Sequence, residues 1–136
     1  MAFEANTPAI AVRNYIDAFN RGDVEGMTAC FAGTASILDG FAPQLWVGPA
    51  AASDWYRDLL VEAQHLGASD FQAMVDEPLH NDITGDTAYL VAPASMSFNL
   101  RGQQVTQSGA TFTFALKRKG DDWRIAAWAW AKGQMR

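Results

Sequence analysis

Apolar positions along the chain fall into two regimes. In the first half they recur at helical spacing. Val12, Tyr15, Ile16 and Phe19 stand at i, i+3, i+4 and i+7 and make one apolar helical face. Thr7 and Pro8 before them suit an N-cap and a first helical position, and Gly22 is a stop. Asp23 caps a second, short helix with Met27, Cys30 and Phe31 turned inward. A wide stripe (Ala52, Trp55, Tyr56, Leu59, Leu60, Ala63) marks a third helix, opened by Gly48-Pro49 and closed by His65 and Gly67. Between the second and third helices lies a short strand over residues 34–39, in which Ala35, Ile37 and Asp39 share a face by period-two alternation. Gly40 and Pro43 then break it into a loop.

The second half alternates as strands do. Strands are predicted over 71–80, 86–100, 104–118 and 123–132, with a turn at 99–103 and with Pro93 marking a bulge or an edge position. Helices first and strands after predict an α+β fold, with three helices packed on one face of a curved, mostly antiparallel sheet. Curling that sheet around the helices leaves a cavity open at one end. No internal repeat or linker divides residues 1–136, which are expected to form one domain.

Charge narrows the choice of partners. The net charge is −5, and the only basic cluster, Lys117-Arg118-Lys119, runs straight into Gly120-Asp121-Asp122. That is a solvated hairpin tip and not a phosphate-neutralising stripe, so no nucleic-acid partner is expected. No apolar run approaches the roughly 18 residues of a membrane helix. Residues 1–8 lack the basic start and apolar stretch of a leader, so the expected location is cytoplasmic, away from membranes. Cys30 is the single cysteine, which excludes an intramolecular disulfide, and its apolar neighbours predict a buried, inert thiol. His65 and His80 are far apart and have no spaced carboxylates, so no metal site is expected. There is no glycine-rich phosphate loop or nucleophile elbow, and no cofactor is expected.

Two residues carry candidate chemistry. If Ile37 points into the core, Asp39 points the same way. A carboxylate facing an apolar interior has a raised pKa, which moves it toward the range of a general base. The competing reading is a turn aspartate before Gly40. Tyr15 lies on the apolar face of the first helix, placed to donate to a developing enolate oxygen. Its alternative is a buried aromatic whose hydroxyl meets a structural partner. His80, at a predicted strand end, is either an acid or an exposed structural residue. Trp46, Trp55, Tyr56, Met96, Phe98, Phe112, Trp128 and Trp130 supply apolar walls for a flat ligand, and Trp46, Trp55, Tyr56, Met96 and Phe98 read equally as core. Trp128 and Trp130 alternatively face a subunit interface.

The stretch Val-Arg-Asn-Tyr-Ile-Asp-Ala-Phe-Asn-Arg-Gly-Asp at 12–23 resembles the opening helix and turn of nuclear transport factor 2-like proteins. Gly85-Asp86-Thr87-Ala88-Tyr89 and Asp122-Trp123-Arg124-Ile125 resemble that family's later strand signatures. The resemblance spans nearly the whole chain and implies a cone-shaped fold. The first fifty residues resemble most the ketosteroid isomerase-like and SnoaL-like cyclase group. That resemblance implies Tyr15 in an oxyanion hole and Asp39 as general base, with Phe31-Ala32 as the anchor between them. It also implies a bulge in the last strand that turns Trp123, Ile125, Trp128 and Trp130 all inward, a small apolar organic ligand, and a homodimer. The isomerase carries a second, protonated aspartate on a later strand. Residues 110–116 (Ala-Thr-Phe-Thr-Phe-Ala-Leu) hold no carboxylate there. The implied activity is a cofactor-independent isomerase or cyclase acting by proton abstraction next to a carbonyl of an apolar cyclic substrate. The alternative is a non-catalytic ligand-binding or dimeric scaffold domain.

Overall fold

The structure is a computed structural model, and it describes residues 5–135. Residues 1–4 of the stretch 1–8, expected to hold no leader, therefore lie outside the described residues. Helix α1 spans Pro8–Arg21. The Thr7 hydroxyl accepts from the Ile10 N–H at 3.2 Å, and Gly22 closes the helix in the left-handed region at φ 68°. Asp23 Oδ1 then caps α2 (Val24–Ala29) through the Gly26 N–H at 3.0 Å. Helix α3 spans Ala51–Leu66 and ends on Gly67 at φ 74°.

Among the described residues eight strands form one sheet: β1 (Phe31–Leu38), β2 (Leu45–Gly48), β3 (Ala68–Val75), β4 (His80–Thr84), β5 (Thr87–Leu100), β6 (Gln103–Lys119), β7 (Asp122–Ala131) and β8 (Gln134–Met135). The order is β2-β1-β7-β6-β5-β3, with β4 also on β5 and β8 on β6. Every pairing is antiparallel except β1 with β7. The helices pack on this curved sheet, as the order of helical and strand patterns predicts.

Four of the differences from expectation concern strands. Strand β1 starts at Phe31 and not at residue 34, because the Cys30 carbonyl already accepts from the Ile125 N–H of β7 at 2.8 Å. Phe31 therefore belongs to the sheet and not to α2. Strand β2 carries two exposed apolar residues, Leu45 and Val47, on four positions, too few for a period to register. The segment 71–80 is not one strand. It breaks after Val75, so His80 opens the separate strand β4. Strand β8 has only two residues.

Pro93 sits where β5 changes partner. Ala94–Leu100 faces β3 and Thr87–Val91 faces β4, and Pro93 falls in the gap, where a missing N–H costs no ladder bond. The bulge implied for the last strand lies at Ala126: Ala115 pairs with Ala127, and Leu116 already pairs with Ile125. The one-residue insertion flips the side-chain parity. Trp123, Ile125 and Trp128 are consequently all buried.

The narrow end of the fold is solid. Met27, Cys30, Phe31, Leu116, Trp123 and Ile125 are buried there in the core. Across the sheet, the Asn20 side chain ties α1 to β3. Its amide donates to the Ala73 carbonyl at 3.0 Å and its oxygen accepts from the Ala73 N–H at 2.7 Å. This fixes α1 against the edge strand β3. Among the described residues no helix is long and apolar enough to cross a membrane. The Lys117-Arg118-Lys119 cluster leads into the β6–β7 turn, with Arg118 held by Asp86 at 2.9 Å and lying over the Trp123 ring.

Candidate functional site

The wide end encloses a cavity of about 520 Å³, within the range usual for small-molecule sites. Helix α1 contributes Tyr15, Ile16 and Phe19, and α3 contributes Trp55, Leu59, Glu62, Ala63 and Leu66. The β1–β2 loop adds Asp39, Gly40, Phe41 and Ala42. Phe71, Ala73, Met96, Phe98, Phe112, Trp128 and Trp130 come from the sheet. The walls are aromatic and interlocked. Trp128 meets Trp55 edge-on with centroids at 5.0 Å, and Phe112 lies between Trp128 at 4.9 Å and Trp130 at 5.0 Å.

Asp39 follows directly on β1. The inward alternation of Ala35 and Ile37 carries through to it, while Leu38 is exposed. Both carboxylate oxygens are held. Oδ1 accepts from the Gly40 N–H at 2.7 Å, and Oδ2 accepts from the Trp55 indole N–H at 2.9 Å. Burial pushes the Asp39 pKa above the usual carboxylate range. The Trp55 and Gly40 hydrogen bonds and the Lys132 charge oppose that shift in part. The carboxylate is thus oriented by two neutral donors on the rim of an apolar space.

Tyr15 is fully buried, and its hydroxyl oxygen accepts from the Trp128 indole N–H at 3.1 Å. Burial holds the phenol far above its ordinary pKa, so it stays protonated and acts as a donor. An acceptor bond from Trp128 polarises the O–H in the sense that strengthens it as a donor. Cys30 is buried at the solid end and its thiol donates to the Gly26 carbonyl at 3.3 Å. Burial pushes its pKa up to about 11, which leaves it a poor nucleophile.

Of the residues nominated from sequence, Tyr15, Asp39, Trp55, Met96, Phe98, Phe112, Trp128 and Trp130 meet at this cavity. Three do not. Trp46 is buried on β2 against Phe41, its indole N–H donating to Asp58 Oδ2 at 2.8 Å. Tyr56 turns to a shallow outer groove with Val24 and Leu60, because it is one residue round α3 from Trp55. His80 is exposed on β4 beside Tyr89, since the chain breaks before it and starts a new strand. Among the cavity residues that the sequence patterns do not mark are Phe41, Glu62, Gln107 and Lys132. Gln107 accepts from the Trp130 indole N–H at 2.9 Å and the Gly133 N–H at 3.2 Å, which folds the C-terminal segment against β6. Only the β6–β8 pairing reveals this, and no pattern marks it. Among the described residues no group of three or more His, Cys, Asp or Glu is placed to hold a metal ion.

The sequence matches the model of the SnoaL-like domain over residues 10–129. No curated protein matches it significantly. Among solved structures, it superposes on hexachlorocyclohexane dehydrochlorinase LinA type 3 from Novosphingobium barchaimii. There the TM-score is 0.77 and the identity 12%, covering 94% of this chain and 88% of that one. A ketosteroid isomerase-like protein from Erwinia carotovora atroseptica aligns with a TM-score of 0.69 at 17% identity, covering 91% and 92%. An NTF2-like family protein from Streptomyces avermitilis gives 0.75 at 18% identity, covering 93% and 94%.

Proposed function

This chain belongs to the SnoaL-like domain family, and we propose that it is a cofactor-independent enzyme that removes a proton next to a carbonyl of an apolar cyclic substrate. A single observation carries the reading: the Asp39 carboxylate, oriented by Trp55 and Gly40, borders the same aromatic cavity as the buried, donor-competent Tyr15. In the proposed step a carboxylate oxygen of Asp39 takes the proton from the carbon, and the C–H electron pair moves onto the carbonyl oxygen. The Tyr15 O–H donates to that oxygen as its charge develops. The protonated Asp39 then returns its proton to another carbon, giving an isomer. Alternatively the carbanion closes a ring or expels a leaving group. Trp55, Trp128 and Trp130 exclude water and hold a flat ring system against the base. The superposition on a dehydrochlorinase, which by its name removes hydrogen and chloride from a cyclohexane, supports base chemistry on an apolar ring in this fold.

A second reading rests on the 2.7 Å bond from the Gly40 N–H to Asp39 Oδ1. Here Asp39 locks its own turn, and the cavity holds a small apolar molecule without reaction. We further propose one domain over residues 1–136, a cytoplasmic location and a homodimer.

The two readings separate in one experiment. Small cyclic ketones are incubated with the protein in deuterium oxide, and loss of the α-proton signal is followed by NMR, together with ketone affinity. The enzyme reading expects exchange that Asp39→Asn lowers by about 10²–10⁴-fold with affinity kept. Binding without any exchange above buffer would leave the non-catalytic reading.

A further inference from the structure

Gly40 follows Asp39, and an Asp-Gly pair normally signals a turn that needs a left-handed glycine. That is not its role here, because Gly40 is not among the residues with positive φ. What residue 40 needs is room. A Cβ placed there would overlap Cε of Lys132 and would lie 3.1 Å from its Cδ and 3.2 Å from its Cγ. The Lys132 stem therefore lies across the Asp39-Gly40 turn, in the space a side chain would fill. Lys132 stands just past β7, two residues beyond Trp130, and lines the same cavity. It is the one cationic side chain among the described lining residues, which otherwise carry the carboxylates of Asp39 and Glu62.

We propose that Lys132 is a positioning residue for Asp39: its ammonium, admitted over the turn by the bare Gly40, holds the carboxylate in its ionised form at the cavity rim. The groups around Asp39 make this necessary. Trp55 on α3 and the Gly40 N–H offer neutral dipoles only. Tyr15 on α1 stays protonated, and Glu62 on α3 and Gln107 on β6 bring no positive charge. Burial favours the neutral acid, and a protonated Asp39 cannot accept a proton. Lys132 is the full charge available on the other side of that balance. No ion pair ties it to Asp39 among the described residues, so its field acts without covering the oxygens. The inference rests on the enzyme reading only for what the ionised carboxylate is used for.

The test reads the carboxylate directly. The Asp39 carboxyl carbon is titrated by ¹³C NMR in the wild type, Lys132→Met, Lys132→Arg, Gly40→Ala and the double variant Lys132→Met/Gly40→Ala. Lys132→Met is expected to raise the titration midpoint by roughly half a pH unit or more, and Lys132→Arg to restore it. Gly40→Ala keeps an allowed backbone but displaces the flexible lysine, so it should raise the midpoint in the same direction. In the double variant the two shifts should not add, since both remove one interaction. An unchanged midpoint in Lys132→Met overturns the proposal, and so does a Gly40→Ala shift that persists in full on top of Lys132→Met. The ketone-exchange assay keeps the two ideas apart. Shifted midpoints without exchange would retain the pairing and sink the enzyme reading. Asp39-dependent exchange with unshifted midpoints would do the reverse.

Discussion

Strand β7 has two ends that look alike in sequence and differ in what they face. Its first half carries Trp123 and Ile125 into a filled core with Leu116, Phe31, Met27 and Cys30. Its second half carries Trp128 and Trp130, but into a cavity. Both halves are aromatic and β-branched or alanine-rich, so hydrophobicity does not separate them. The polar partners do. At the solid end the Cys30 thiol donates to a backbone carbonyl. At the hollow end the indole N–H groups of Trp55, Trp128 and Trp130 are each aimed at a polar side chain: Asp39, Tyr15 and Gln107. Aromatic walls whose indole N–H groups hold polar side chains in place are the pattern expected of a site, because they then fix geometry as well as exclude water.

The contrast can be broken at several points. The largest effect expected is on chemistry at the hollow end, where Asp39→Asn lowers ketone exchange by about 10²–10⁴-fold. Next is stability at the solid end. Ile125→Ala should cost about 2–5 kcal/mol in a urea melt while leaving ligand affinity near wild type. Met96→Ala, on a wall that already borders empty space, should cost less and change affinity more. Tyr15→Phe leaves the buried Trp128 N–H without its acceptor, for a loss of about 1–3 kcal/mol. It should also slow exchange, and Tyr15→Phe exchange equal to wild type would remove Tyr15 from the mechanism.

A smaller effect appears with pH. Burial raises the Asp39 pKa in the folded state, so the fold holds a proton that an unfolded aspartate releases near about pH 3.9. The stability linked to that proton is fully present below the unfolded value and is lost as pH rises through the folded one. Asp39→Asn removes this dependence, so its stability relative to wild type should rise as pH climbs from about 4 through the raised folded-state value. A flat difference across that window would mean that Asp39 is not buried as described. Smallest of all, Cys30 should resist thiol alkylation at neutral pH until the protein unfolds.

Most of the fold was readable because its signals are local. Thr7-Pro8, Gly22, Asp23 and Gly67 are stops and caps acting within one turn, and they fall at the observed ends of the helices. Strand parity placed Asp39 on the face of Ile37, and helical spacing placed Tyr15 on the inner face of α1. What escaped depends on neighbours distant in sequence. A strand over 71–80 puts His80 at its end, whereas β3 stops at Val75 and His80 opens β4. Trp46 and Tyr56 have the right composition for a pocket, but their facing is set by the short strand β2 and by one step of rotation on α3. Lys132 gave no signal at all, since its meaning arises only where the end of β7 passes over Gly40.

The most direct test of the account is to place an enolate mimic. A planar naphthol, whose oxygen resembles an enolate and whose rings match an aromatic cavity, is bound and the complex solved by crystallography. The account predicts the naphthol oxygen within hydrogen-bond distance of the Tyr15 hydroxyl, with the ring between Trp55, Trp128 and Trp130 and an edge against the Asp39 carboxylate. Naphthol seated elsewhere, or held in the cavity with its oxygen turned to the mouth and away from both Tyr15 and Asp39, would contradict it.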